Sequence, residues 1–401
     1  MKPSVKDAAI VITGAGAVGL FCAVLLTQAG HQVIVLEKNS GLALDMRAST
    51  FHPATLDLLG RCGLDEPLVA RGSITQGWQY MIHGTKKHAV FDLAVIRDMT
   101  DHPYRLQCEQ FHFTGLVLDR LANNPLFEIR FSHKLLGAEN AGDEVCLRVR
   151  EPGGNYQIST PWLIAADGGS SAVRNYLGLA FKGSVFPQTS ITLVLDYPFQ
   201  DHVPGILGVN YVWTDTGHYS LMQIRNLWRF SYSPDPDQSV EEALSEPVAQ
   251  SHLQALFPKN QPYTLLQRNY YTLQQRCLDT FRLDRVLFAG DSAHLNSPVG
   301  GMGMNSGMHD AQCLVEHLLP VLGGENSNLL DRYSRRRRTV ALEEVQRLSA
   351  RNHRWHRATD PAIRAEIWQE LISIVNDHDK AREFLLESSM IRSRRREQEI
   401  A

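Results

Sequence analysis

Residues 9–37 constrain this chain more than any other stretch. AIVIT is a short, β-branched apolar run, and GAGAVG follows it at once. LFCAVLLTQAG then reads as an apolar helix ending at Gly30, and HQVIVLE as a second strand closing on Glu37. Strand, GxGxxG turn, helix, strand and acid together describe a βαβ unit shaped to bind a dinucleotide. Gly14 permits the tight turn, Gly16 lets the backbone approach a pyrophosphate, and Gly19 lets the helix pack closely on the sheet. Ala17 and Val18 open that helix, whose unpaired N–H groups and roughly half a positive charge face the phosphates. Glu37, followed by Lys38, is placed to accept hydrogen bonds from a ribose diol. The motif leaves NAD, NADP and FAD open, although an acid at position 37 argues against a 2′-phosphate in this pocket.

At about 100–200 residues per domain, a chain of 401 residues has room for two or three. Its net charge of -3 gives no reason to expect nucleic acid or an anionic membrane as partner. The six cysteines are scattered without a CxxC pair. That pattern fits a reduced compartment, and it predicts neither a disulfide framework nor a metal. Glycines interrupt the N-terminal apolar run, which also lacks a cleavage site, and no stretch approaches the roughly 20 apolar residues of a membrane span. The expectation is a cytoplasmic protein without stable membrane insertion.

Two later motifs bear on the choice of dinucleotide. WLIAADGGSSAVR (162–174) runs from an apolar strand into Asp167-Gly168, then through a turn to Ser171 and Arg174 at the start of a helix. It reads either as a capped strand–turn–helix junction or as part of a ligand site. RVLFAGD (285–291) reads as a buried strand ending on Asp291. After a loop containing Pro298, the segment GGMGMN, with Gly301, Gly303, Met304 and Asn305, leads into an apolar helix. Asp291 can bind a second sugar alcohol of the cofactor. The loop presents several backbone N–H groups at a helix N-terminus, suited to negative charge on a large flat ligand. An enzyme using NAD alone has no obvious need for this second loop.

With these three motifs in order, the chain resembles the single-component flavin monooxygenases of the para-hydroxybenzoate hydroxylase type, over roughly residues 8–340. YRLQCEQFHFTGLVLDRL (104–121) looks like that family's helix segment, with Gln110 at the position of its flavin-contacting glutamine. DMRAS (45–49) places Arg47 where the family has an arginine in a mobile flavin loop. The resemblance implies an α/β fold (α+β overall): a discontinuous Rossmann-like FAD-binding domain (1–75, 102–182 and 278–330), a β-sheet substrate domain (76–101 and 183–277) and a helical C-terminal segment (331–401). It implies FAD as cofactor, with its adenosine part on Gly14–Glu37, the Asp167-Gly168 motif linked to both FAD and nicotinamide nucleotide, and Asp291 at the ribityl or pyrophosphate region. Gly301–Asn305 would lie against the N1–C2=O edge of the flavin ring, with Pro298 beside it. The implied activity is hydroxylation of a small phenolic or N-heteroaromatic substrate with O2 and NAD(P)H, through a flavin C4a-hydroperoxide. A related flavin oxidoreductase, such as a quinone-pathway hydroxylase, halogenase or prenyl reductase, is the alternative.

ITLVLDYPFQ, GVNYVWTD, GHYSLMQIR and LWRFSYSP read as short antiparallel strands, and parts of 76–101 as further ones. Alternation groups Val209, Tyr211 and Trp213 on one face, and Trp228, Phe230 and Tyr232 on the face of another strand. His52, His218, Tyr211 and Tyr219 are the candidates for deprotonating or orienting a phenol. His294, within GDSAH, is read as local structure. The tail reads as amphipathic helices with a break at Asp360-Pro361, and RRRR (335–338) as a solvated face. The tail closes the substrate pocket or forms a homodimer contact, and the sequence does not separate the two.

Overall fold

The computed structural model describes residues 9–44, 48–235 and 237–401, the side chains of positions 187 and 188 excepted. Arg47, expected in a flavin loop, lies outside the described residues.

The runs IVIT and VIVL are buried along their whole length. Strands covered on both faces of a parallel sheet must read that way. They pair in parallel, with Ile12 opposite Val35. Ile10–Thr13 pairs on its other side with Leu163–Ala165, and that strand pairs with Val286–Phe288, again in parallel. Arg282–Leu283 and Phe127–Arg130 complete a six-stranded sheet. Each of the three motifs therefore leaves the C-terminal end of one of three adjacent parallel strands, the edge at which open α/β sheets bind ligands. The helix Ala17–Gln28 buries Leu20, Phe21, Cys22, Ala23, Val24 and Leu26. A helix apolar on all sides needs cover on all sides, and the long helix Met302–Leu322 packs against it.

The second sheet has eight strands, in the order His294–Leu295, Leu265–Cys277, Lys182–Leu195, Leu227–Tyr232, His218–Ile224, Val209–Trp213, Gly77–Ile82, His88–Asp92. Only the pair Val209–Trp213 and Gly77–Ile82 is parallel. Leu265–Cys277 is a strand that the sequence reading missed. LLQRNYYTLQQRC lacks apolar alternation because most of its residues stay partly exposed. A three-stranded antiparallel meander (Lys134–Asn140, Val145–Glu151, Gly154–Thr160) was likewise not anticipated. The two faces of the large sheet bury different clusters. Val209, Tyr211 and Trp213 meet the tail helices and Met302 on one side. Tyr219, Trp228, Phe230 and Tyr232 meet the helix Glu246–Leu256 and Phe199 on the other.

The tail is helical, and its break falls where expected. Asp360 accepts from the N–H groups of Ala362 and Ile363 at 2.8 and 3.1 Å, and Pro361 opens the helix Pro361–Val375. The tail covers the Tyr211 face of the sheet. The indole of Trp213 donates to the carbonyls of Trp355 and His356, both at 3.1 Å. Arg364 donates to those of Thr214 and Gly217, both at 2.6 Å.

RRRR is not a solvated face as a whole. Arg337 is fully buried and donates through Nε to Asp310 Oδ1 at 2.6 Å, and through its other nitrogens to Ser306 and Glu397. A helical run of four arginines must turn one of them inward, and Asp310, on the long helix, supplies the counter-charge. Among the described residues, no helix is long and apolar enough to cross a membrane, and no His/Cys/Asp/Glu group suits a metal ion.

Candidate active site

The first glycine loop is closed partly by its own helix and partly by the neighbouring strand end at Ala166. Gly14 has φ +98°, and a Cβ there would sit 2.4 Å from the Ala166 carbonyl oxygen. A Cβ on Gly19 would lie 2.1 Å from the Gly14 carbonyl oxygen. Glu37 is buried, and its two oxygens accept from the N–H groups of Ala15 and Asn39, each at 2.9 Å. The carboxylate thus holds the loop in shape while keeping lone pairs free for a diol. Gly16 caps the helix Ala17–Gln28 without a side-chain bond, leaving the N-terminus open to an anion. Gln110 reaches this loop: its Nε2 lies 3.8 Å from where a Cβ on Gly16 would be. Lys38 is exposed at the rim. Val18 Cγ2 fills the notch left by Gly290 and Gly307, locking the two glycine segments together.

Asp167 stands at the next strand end. Its Oδ2 accepts from the N–H groups of Ala172 and Val173 at 2.7 and 3.2 Å, so it does cap the short helix Ala172–Tyr176. Burial holds its carboxyl above the usual range. Its Oδ1 is buried with no partner among the described residues, an acceptor left for a ligand. Gly168 takes φ +81°. Arg174 donates to Ser292 O at 3.0 Å and Gly169 O at 2.6 Å, tying this motif to the third one.

In that third motif the strand stops at Phe288, short of the acid, and Asp291 is exposed in a turn, Gly290–Ser292. Gly301 (φ +68°) begins the helix Met302–Leu322, again without a side-chain cap. Gly303 faces the acid: a Cβ on it would be 3.9 Å from Asp291 Oδ1. Met304 is half-buried in the first turn. Asn305 is buried, and its side chain is taken up by protein. It accepts from the His52 N–H at 2.9 Å and donates to Thr50 O and Gly301 O at 2.8 and 2.7 Å. Only backbone N–H groups of this turn therefore remain for a ligand.

Behind the loop, Asp310 Oδ2 accepts from the Gly290 N–H at 2.9 Å and from His294 Nε2 at 2.8 Å. Burial by itself would raise the Asp310 carboxyl, but Arg337 and His294 outweigh it and hold it well below the carboxylate range. His294 is thus local structure.

The four acid–base candidates separate. His52 Nε2 donates to Gly300 O at 2.8 Å, and burial, then Arg105, pushes its imidazole down to about 3. A ring bound to the loop and that reluctant to protonate is suited to holding the loop more than to general-base work. His218, beside His356 with ring centroids 4.7 Å apart, is also pushed down to about 3, by burial and then by Arg357. Tyr211 is buried next to Gly300, with its hydroxyl pKa raised by burial. Tyr219 lies on the far face of the sheet, where its hydroxyl meets His83 Nδ1 at 2.8 Å. Strand alternation puts it there, and it has no access to the loop. Pro298 is exposed and accepts from the Gly301 N–H at 2.9 Å.

Several residues of this face were not singled out from the sequence. Arg229 donates to Ser49 Oγ at 2.9 Å, Thr192 and Ser231 share a hydrogen bond at 2.8 Å, and Met222 touches Ser49 and Thr50. Alternation in LWRFSY, with Trp228 and Phe230 on the apolar side, was signal enough for Arg229 and Ser231. His353, His356 and Arg357 come from the tail and had no such signal.

Two uncapped helix N-termini, an orphaned Asp167 oxygen between them and an acid at each end suit one long ligand with phosphates at its middle and a ring that accepts electrons at one end. FAD is such a molecule.

The comparisons with known proteins agree. The FAD binding domain family model matches residues 7–348. The chain is 31% identical over 390 residues, 96% of each chain, to the para-nitrophenol 4-monooxygenase of a Pseudomonas species. It is 29% identical over 382 residues, 94% of this chain and 96% of the relative, to a 6-hydroxy-3-succinoylpyridine 3-monooxygenase from Pseudomonas putida. The crystal structure of a p-nitrophenol 4-monooxygenase from Pseudomonas putida matches with a TM-score of 0.90 at 32% identity, over 95% of this chain and 98% of that one.

Proposed function

Because this chain belongs to the FAD binding domain family and is an FAD-dependent monooxygenase that hydroxylates an aromatic ring with O2 and NAD(P)H, we propose that its substrate is a small phenol or hydroxypyridine substituted para to the hydroxyl. Oxygen enters at the substituted carbon. One observation carries this reading. Both relatives matched over nearly their whole length have names that place the new oxygen on the ring carbon bearing the substituent, para to a hydroxyl.

The site residues fit that task. Bound FAD supplies the chemistry that takes a hydride from NAD(P)H and activates O2. The chain holds and shields it. N–H groups of residues 302–304 would offset negative charge at one edge of the ring, and His52 and Asn305 fix that turn in place. Tyr211, His218, Ser231 and Arg229 share the inner face of the sheet, and His356 of the helix Arg347–Arg357 covers Tyr211 and His218, which helps keep water from the reacting atoms. With a nitro group as substituent, the ring carbon gains oxygen and nitrite leaves with the bonding pair. The phenol oxygen becomes a quinone carbonyl, and the second oxygen atom leaves as water with the two electrons of NAD(P)H.

The test is oxidation of NADH or NADPH by the FAD-loaded protein with 4-nitrophenol in air, following nitrite. Stimulated oxidation with nitrite release in step is expected. A catechol product that keeps its nitro group would overturn attack at the substituted carbon. No stimulation by any para-substituted phenol would overturn the substrate class.

A further inference from the structure

Arg105 is a buried charge with no ion-pair partner among the described residues. It lies in the strand Arg105–Gln107, is 3% exposed, and its Nε is buried without a partner. Among the described residues, no carboxylate pairs with it. Its neighbours are aromatic: the guanidinium lies 5.0 Å from the Trp78 ring centroid, and its nearest electrostatic partners are the phenols of Tyr211 and Tyr80. The rings of Tyr80 and Tyr211 are 5.2 Å apart, and each is about 6.0 Å from Trp78. Trp78 Nε1 is also a buried donor without an acceptor. Arg351, which acts on Tyr80 from the tail, is neutralised by Glu387 at 2.8 Å. Burial lowers Arg105 only to about 10, so it keeps its charge at neutral pH.

A buried cation is retained when something pairs with it, because cation–π contact recovers less than desolvation takes. The missing partner is an anion, and the position of Arg105 says which. His52 connects the two: Arg105 acts on its ring, and that ring holds Gly300 in the loop before Met302. Tyr211, beside Arg105, also borders Gly300. The histidines of this face, His52, His218, His353 and His356, are pushed down by burial first and then chiefly by nearby arginines, which makes them weak bases beside a ready cation.

We propose that Arg105, with the donors of Tyr80, Tyr211 and Trp78 around it, binds the phenolate oxygen of the substrate, so that the enzyme selects the already ionised form in place of deprotonating it. This rests on the phenol reading above. An anionic oxygen supplies the counter-charge that no carboxylate among the described residues gives, and its negative charge activates the para carbon towards an electrophilic oxygen.

The test is equilibrium binding of 4-nitrophenol to the FAD-loaded protein without NAD(P)H, followed by the yellow absorption of the phenolate. In the wild type, the ligand should bind as phenolate even below its solution pKa. The apparent Kd should fall about tenfold per pH unit towards that pKa and level off above it, because only the anion binds. Arg105→Met should weaken phenolate binding about 30-fold or more, and its bound ligand should absorb as the neutral phenol, with affinity falling above the pKa. Arg105→Lys, which keeps the charge, should restore the phenolate spectrum. Bound FAD serves as the folding control, and if Arg105→Met loses it, the wild-type pH profile and the lysine variant decide. Neutral phenol bound to the wild type, or unchanged phenolate affinity in Arg105→Met, would overturn the assignment. If the wild type binds no para-substituted phenol at all, the substrate reading falls first, and this inference with it.

Discussion

The two uncapped helix N-termini proposed to hold the cofactor have the same chemistry and opposite construction. The one at Gly16 is closed by neighbours in the chain. Glu37 binds the Ala15 and Asn39 N–H groups, and the Gly14 N–H donates to Leu36 O at 2.8 Å. The one at Gly301 is held by residues far away in sequence. His52 and Asn305 are 253 positions apart, His52 and Gly300 248, Thr50 and Asn305 255. Behind it, Arg337 and Glu397 extend the anchoring into the tail. The βαβ unit takes most of the hydrogen bonds that shape its anion site from residues close in sequence. The second site exists only once the whole chain has closed, so it is the one whose geometry distant residues can change.

Three measurements would break or sharpen that contrast. The largest effect is expected for Arg337→Met, which strands Asp310 and Glu397 as buried charges. Removing one partner of such a network costs about 3–5 kcal/mol, read as a drop in urea stability of the FAD-loaded protein. A loss below about 1 kcal/mol would mean that the tail does not anchor the second site.

Next is acid. The folded state holds His52 down at about 3, whereas the unfolded chain titrates near 6.5. A pKa depressed by folding gives stability that is complete above about 6.5 and declines as the pH falls from there towards 3. At pH 5 the His52 contribution amounts to a loss of about 2 kcal/mol. His52→Asn, which can still donate to Gly300 O, should show a shallower decline between pH 7 and 5. Equal slopes in the two proteins would remove His52 from the argument.

The smallest effect is expected at the local site. Glu37→Gln loses one of two backbone bonds, about 1 kcal/mol. FAD should bind roughly fivefold more weakly, with the urea midpoint little changed. A global destabilisation as large as that of Arg337→Met would erase the difference between the two sites.

How much was legible in advance follows the same division. GAGAVG with Glu37 could be read because turn, helix and acid are neighbours, and backbone sterics at Gly14 and Gly19 permit few alternatives. Alternation placed Val209, Tyr211 and Trp213 on the face that meets Met302. Tyr219 was the counterexample. Its residue type suited a phenol site, but only strand register decided that its hydroxyl meets His83. Leu265–Cys277 escaped notice because a half-exposed strand need not alternate.

By itself, then, the sequence determined the three strand-end motifs and the two glycine-led helix starts, since these depend on φ, on helix dipoles and on short-range hydrogen bonds. The tertiary structure decided what those starts are fastened to. It put Arg337 against Asp310, made the His52 ring a support for Gly300, and left Arg105 among aromatic rings. Whether a charge is buried, and with what partner, is a property of segments that meet only in space. Desolvation makes that meeting count for more than the identity of the residue.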